Sequence, residues 1–222
     1  FTSVETTTGG VGAGTAPVSS AWVKTAAGSS STAPIQLTSG SNLGTAAAGA
    51  IEYDGNAAYL TNGTTAGRGL LPAPQFVRLS SAYTTTSGST ALQQLFNATA
   101  SGAIAVAGST TYEFECVFGL SSLSSTSGTV SFGFGGSATL TSIWYTASCN
   151  KGNNMQGTNG TAATATTISA SSVTTSANAI VKGIIQVNAG GTLIPSFAIS
   201  VASAAVVASG SFFKLTAVGS SS

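Results

Sequence analysis

Alternation of apolar and polar side chains predicts strands along most of the chain. The clearest run is TYEFECVFG, where Tyr112, Phe114, Cys116 and Phe118 fall on one face and Glu113, Glu115 and Val117 on the other. A period of two marks a half-buried strand. Val130, Phe132 and Phe134 repeat it in VSFGFGG, and FVRLSSAY, AIAVAG, SIWYTAS, AIVKGIIQVNA, IPSFAISVAS and GSFFKLTAV are further strands. In IVKGIIQV the inward set is Val181, Ile185 and Val187, which leaves Ile184 on the face of Lys182 and Gln186. TALQQLF differs: Leu92, Leu95 and Phe96 are spaced for one short helix.

Upstream, Ile35 and Leu37 alternate in PIQLTSG until Gly40. AGAIEYDGNAAYLTN then predicts a hairpin, with Ile51 and Tyr53 on one face and Glu52 and Asp54 on the other. Asp54-Gly55-Asn56 supplies its turn, because glycine tolerates positive φ and an aspartate can bond its own backbone. Residues 1–33 are low complexity and predict a flexible arm; residues 34–74 form a β-hairpin module bounded by Pro72 and Pro74. Residues 75–219 carry short strands at about ten-residue spacing, the signature of an all-β, jelly-roll-like antiparallel sandwich, and residues 220–222 are a tail.

Composition narrows what such a fold can do. The 222 residues include six basic and five acidic side chains, no histidine, and 68 serines and threonines. Charged residues are 5% of the chain, against about 25% in an ordinary domain. Six scattered cations make no footprint for nucleic acid. The apolar runs are too short for membrane insertion by a helix. Without histidine the usual general base and the commonest nitrogen ligand are missing, so neither a cofactor nor a transition metal is expected. The outer surface must be built from Ser, Thr, Gly, Asn and Ala, which protects poorly against association. Self-assembly follows as an expectation, with Ile184 as a candidate subunit contact.

Candidate chemistry is sparse. Glu52 with Asp54, and Glu113 with Glu115, are carboxylate pairs of the type that could cleave a glycosidic bond. Each pair, however, sits on one strand and lacks a second partner across a cleft. For Glu52 and Asp54 a turn-stabilising role with Gly55 and Arg68 fits better, since a bidentate arginine would hold the hairpin. A calcium site at Asp54-Gly55-Asn56 falls short of an EF-hand pattern. The stretch CNKGNNMQGTNGTAATATT, residues 149–167, shows no periodicity and predicts a long polar loop. Loops of that kind, with Trp144 and Tyr145 beside them, offer many neutral hydrogen bonds. That makes Trp144, Tyr145, Asn150, Asn153, Asn154 and Asn159 candidates for contact with a host-surface glycan or protein; the alternative is a solvated connection.

Two stretches resemble known proteins. APIQLTSGSNLGTAAAGAIEYDGNAAYLTNGTTAGRG resembles a phrase of phage fibre and appendage proteins, in which a proline-led strand leads through a Glu-Tyr-Asp-Gly turn to a tyrosine strand and an arginine. The segment from LQQLFNATASGAIAVAG to GSFFKLTAVG resembles the β-sandwich domain that follows that phrase in many virion proteins. The resemblance covers about residues 33–219. It implies a non-enzymatic virion component on the particle surface, a tail fibre or appendage subunit assembled as a homotrimer and attached to capsid, tail or baseplate proteins. Alternatives are a capsid decoration or head-fibre protein, and a bacterial surface adhesin or filament. Virions assemble in a reducing cytosol, so a Cys116–Cys149 disulfide is disfavoured, although its loop would confer roughly 3–4 kcal/mol.

Overall fold

A computed structural model describes residues 11–13, 23–25, 27–61, 68–86, 88–96, 102–152 and 154–220. Within the expected arm, β1 (Val11–Ala13) and β2 (Val23–Thr25) pair in parallel. A three-stranded antiparallel meander follows, made of β3 (Ile51–Tyr53), β4 (Ala58–Leu60) and β5 (Gly69–Leu70). The alternating pair Ile35 and Leu37 forms no strand, and both side chains are exposed. No strand among the described residues pairs with them, so periodicity there has nothing to act on.

The rest is a two-sheet antiparallel sandwich. Four short strands, β6 (Gln75–Arg78), β7 (Tyr83–Thr84), β8 (Gln93–Gln94) and β9 (Ile104–Val106), precede the long β10 (Thr110–Ser121). Then come β11 (Val130–Gly135), β12 (Thr139–Lys151), β13 (Asn154–Gly160), β14 (Thr166–Thr167), β15 (Ala177–Ala189), β16 (Gly191–Ile199), β17 (Val206–Val207) and β18 (Phe212–Ser220). The larger sheet runs β13-β12-β15-β10, after which β18 with β6, and β17 with β7, pair end to end along the far side of β10. The smaller sheet runs β14-β11-β16, with β8 and β9 on the far edge of β16. Connections after β10, β11, β13, β14, β15 and β16 each change sheet, the wiring of a jelly-roll-like sandwich.

The alternating residues fill the space between the sheets. Tyr112, Phe114, Cys116 and Phe118 of β10, and Val181, Ile185 and Val187 of β15, are all buried. They meet Val130, Phe132 and Phe134 from the smaller sheet. Phe132 stands edge-on to Tyr145 at 5.6 Å and stacks with Phe118 at 6.2 Å, while Phe114 meets Phe134 edge-on at 5.2 Å. Such pairs add about 0.5–1.5 kcal/mol each beyond their burial.

Two local expectations are corrected. TALQQLF is no helix: β8 is extended against β16, and Leu95 and Phe96 enter the core while Leu92 is left outside. Tertiary pairing overrides the helical spacing. Residues 149–167 are mostly not loop either, because Cys149–Lys151 end β12 and Asn154–Gly160 return as β13. The turn lies at Gly152, where φ is +79°, a conformation that glycine adopts without cost.

Candidate functional site

The hairpin module is tied by polar side chains. Asp54 Oδ1 accepts from the Asn56 and Ala57 amides, both at 2.8 Å, and the Tyr59 hydroxyl donates to Oδ2 at 3.0 Å. Gly55 sits between them at φ +96°. Burial pushes the Asp54 carboxyl up, but the Ala57, Asn56 and Tyr59 hydrogen bonds outweigh it and hold it below the usual range. Arg68 Nε donates to Glu52 Oε2 at 2.7 Å and Nη2 to Oε1 at 3.4 Å, while the Leu43 amide donates to Oε1 at 2.6 Å. Arg68 also donates to the Leu43 carbonyl. The Arg68 hydrogen bond, with that of Leu43, lowers the Glu52 pKa. Both carboxylates of this pair are therefore engaged in holding strands and loop together. Glu115, of the other pair, is claimed by Lys182 at 2.8 Å and Lys214 at 3.7 Å.

Strand alternation separates the expected contact residues. Trp144, Asn150 and Asn159 lie on the outer face of the larger sheet, and Trp144 is 55% exposed. Tyr145 is not a contact residue: it points inward, 1% exposed, and its hydroxyl donates to the Phe132 carbonyl at 3.4 Å. It faces Gly160 on β13 and Gly183 on β15, and a Cβ at either glycine would collide with it. Asn154 opens the edge strand β13 opposite Lys151, and Asn153 lies outside the described residues. Lys151 is itself buried and donates to the Ser172 carbonyl; desolvation lowers its pKa.

Ile184 is half-buried and sits in register between Trp144 and Glu113, so the expected subunit contact and the expected receptor contact share one face. Further apolar side chains lie on that face. Ile180, 48% exposed, lies beside Val117, which pairs in turn with Phe212. Phe212 stacks on the exposed Phe76 at 5.4 Å. Ile180 shares the face of Lys182 and could have been found by extending the same alternation two residues. Phe212 and Phe76 could not, because their adjacency depends on β6 joining β18.

Cys116 and Cys149 are free and buried. They lie on β10 and β12 with β15 between, opposite Val181 and Ala179 respectively; two strand spacings alone are about 9–10 Å, beyond the roughly 4.4–6.8 Å that a disulfide spans. Burial raises the Cys116 pKa well above its ordinary value and that of Cys149 to about 11, so both behave as small core hydrophobes.

No protein-family model and no curated protein matches the sequence. Among solved structures the chain is similar to TmCBM61, a carbohydrate-binding module solved in complex with β-1,4-galactotriose. The two share 12% identity at a TM-score of 0.32, over 56% of this chain and 90% of that one. The sandwich assignment rests on the strand pairing described above.

Proposed function

We propose that the chain is a non-enzymatic structural subunit of a bacteriophage particle, a tail-fibre or appendage protein that self-assembles through its N-terminal module and presents its sandwich outward. The observation that carries this reading is the contrast in where apolar side chains sit. Between residues 35 and 71, Ile35, Leu37, Leu43, Ile51 and Leu71 are all exposed, from 38% to 68%. The strands there are only two or three residues long. A module that buries so little of its own apolar surface is stabilised by other copies, and the homotrimer of fibre-type proteins supplies them. The phrase resemblance over residues 33–219 supports the same assignment, and the charge-poor surface fits a protein that works by contact.

The test uses the full chain. Light scattering at micromolar concentration should give a trimer, and Leu43→Asp with Ile51→Asp should shift the mass to a monomer while leaving the sandwich folded. Antibody-labelled particles viewed in negative stain should carry the label on the tail or its appendages. A monodisperse monomer, or particles without label, would overturn the reading; label over the shell would favour a decoration or head-fibre protein.

A further inference from the structure

We infer that the outer face of the larger sheet carries a binding site for a neutral saccharide, in the open depression between β12, β15, β10 and the loop before β18. The depression has a volume of about 410 Å³, within the 300–1,000 Å³ or so of small-ligand sites. This inference does not depend on the particle assignment, because the depression is formed within one sandwich.

Its shape comes from the strand register. Asn150 on β12 stands directly opposite Asn178 on β15, and Asn178 stands opposite Gly119 on β10. Gly119 adds no side chain, so the sheet dips there. A Cβ at that position would lie 3.1 Å from Asn178 Oδ1 and 3.2 Å from the Ala208 Cβ, which shows the two sides of the trough facing each other across bare backbone. One row along, Val117 and Ile180 form an apolar floor, and Ser148 and Ser209 complete the rim.

The lining selects a ligand class. None of the residues around the depression is ionisable, and Lys182 and Lys214, on neighbouring strands, are both engaged by Glu115 outside it. A phosphate or carboxylate would find no counter-charge. A wholly apolar ligand would strand the Asn150 and Asn178 amides, which have no hydrogen-bond partner among the described residues, and unmade buried hydrogen bonds are costly. A pyranose ring meets both demands: its C–H face lies on Val117 and Ile180, and its hydroxyls reach the two amides and the serine rim. Trp144 is on the same face, four residues from Ser148 along β12, about 13 Å at strand rise, and would stack on a later unit of a longer chain.

The experiment is a binding screen of the full chain against neutral gluco-, galacto-, manno- and N-acetylhexosamine oligosaccharides, with sialylated and sulfated counterparts, followed by titration calorimetry. At least one neutral member should bind, and its charged counterparts should bind no better. Asn178→Ala should weaken that binding roughly three- to tenfold, the loss of one or two neutral hydrogen bonds. Ser148→Trp, at an exposed position, should fill the trough and abolish binding with an unchanged thermal midpoint; Ser209→Trp on the loop serves if Ser148→Trp fails to fold. Binding by no neutral member, preference for the charged members, or binding that survives the filling variant would overturn the site.

Discussion

In residues 34–71 half of the large apolar side chains face out, the rest are only half-buried, and polar side chains do the tying; in residues 75–220 a fully buried apolar core does, although Phe76, Trp144 and Ile180 stay exposed on its outer face. The module is organised by Asp54, Glu52 and Arg68, each making several hydrogen bonds, around strands of two or three residues. The sandwich is organised by rings, with Phe114, Phe118, Phe132, Phe134 and Tyr145 in mutual contact. Polar ties fix a geometry without adding much cohesion, whereas aromatic burial supplies cohesion. On the proposed reading, neighbouring copies complete the first region, whereas the second carries a core of its own.

That contrast can be broken first in the core. Phe132→Ala should cost about 3–5 kcal/mol, seen as a large drop in the urea midpoint of the sandwich. Gly183→Val comes next, since its side chain would collide with Trp144 and Tyr145. Overpacking of this kind costs roughly 1–3 kcal/mol, whereas Gly157→Val, with open space around its Cβ, should stay within about 0.5 kcal/mol. Equal losses at the two glycines would show that the Tyr145 register is wrong.

The module should respond to different changes. Glu52→Gln weakens its link to Arg68, and limited proteolysis between residues 43 and 71 should become several-fold faster with the sandwich melt unchanged. The smallest effect is that of acid. Both Glu52 and Asp54 have lowered pKa values, so their ties are complete at neutral pH. They are lost only as pH falls below the ordinary carboxylate range and through these lowered values, where the carboxyls protonate. Tyrosine signals of Tyr53 and Tyr59 should broaden there before the sandwich unfolds, because its described core holds no carboxylate. Simultaneous loss of both regions would mean that they are one cooperative unit.

The sandwich was legible wherever alternation ran long enough. The β10 and β15 faces follow directly from Tyr112 to Phe118 and from Val181 to Val187. The 149–167 segment was not, because Asn, Gly and Thr carry no hydrophobic period, and β13 exists only through pairing with β12. Tyr145 is a different case: it adjoins Trp144 on the strand SIWYTAS, where one step reverses the face, so the two cannot both point outward. Its glycine partners Gly160 and Gly183 were visible in the sequence, yet their register was not. Leu95 and Phe96 misled in the opposite sense, since helical spacing and the two ends of a short strand look alike over seven residues. The depression at Gly119 was hidden for a related reason: it depends on three strands whose residues lie far apart in sequence.

β18 fills the slot between β10 and β6, and Thr85 reaches across 120 residues to the Ala205 carbonyl. A nascent chain emerging from the ribosome therefore leaves its large sheet split until β18 arrives. Closure waits for a strand about 90 residues beyond β10, with unpaired edges exposed meanwhile. Sparse charge gives those edges little protection during the wait, so the yield of intact protein should depend on how quickly β18 follows β10 out of the ribosome.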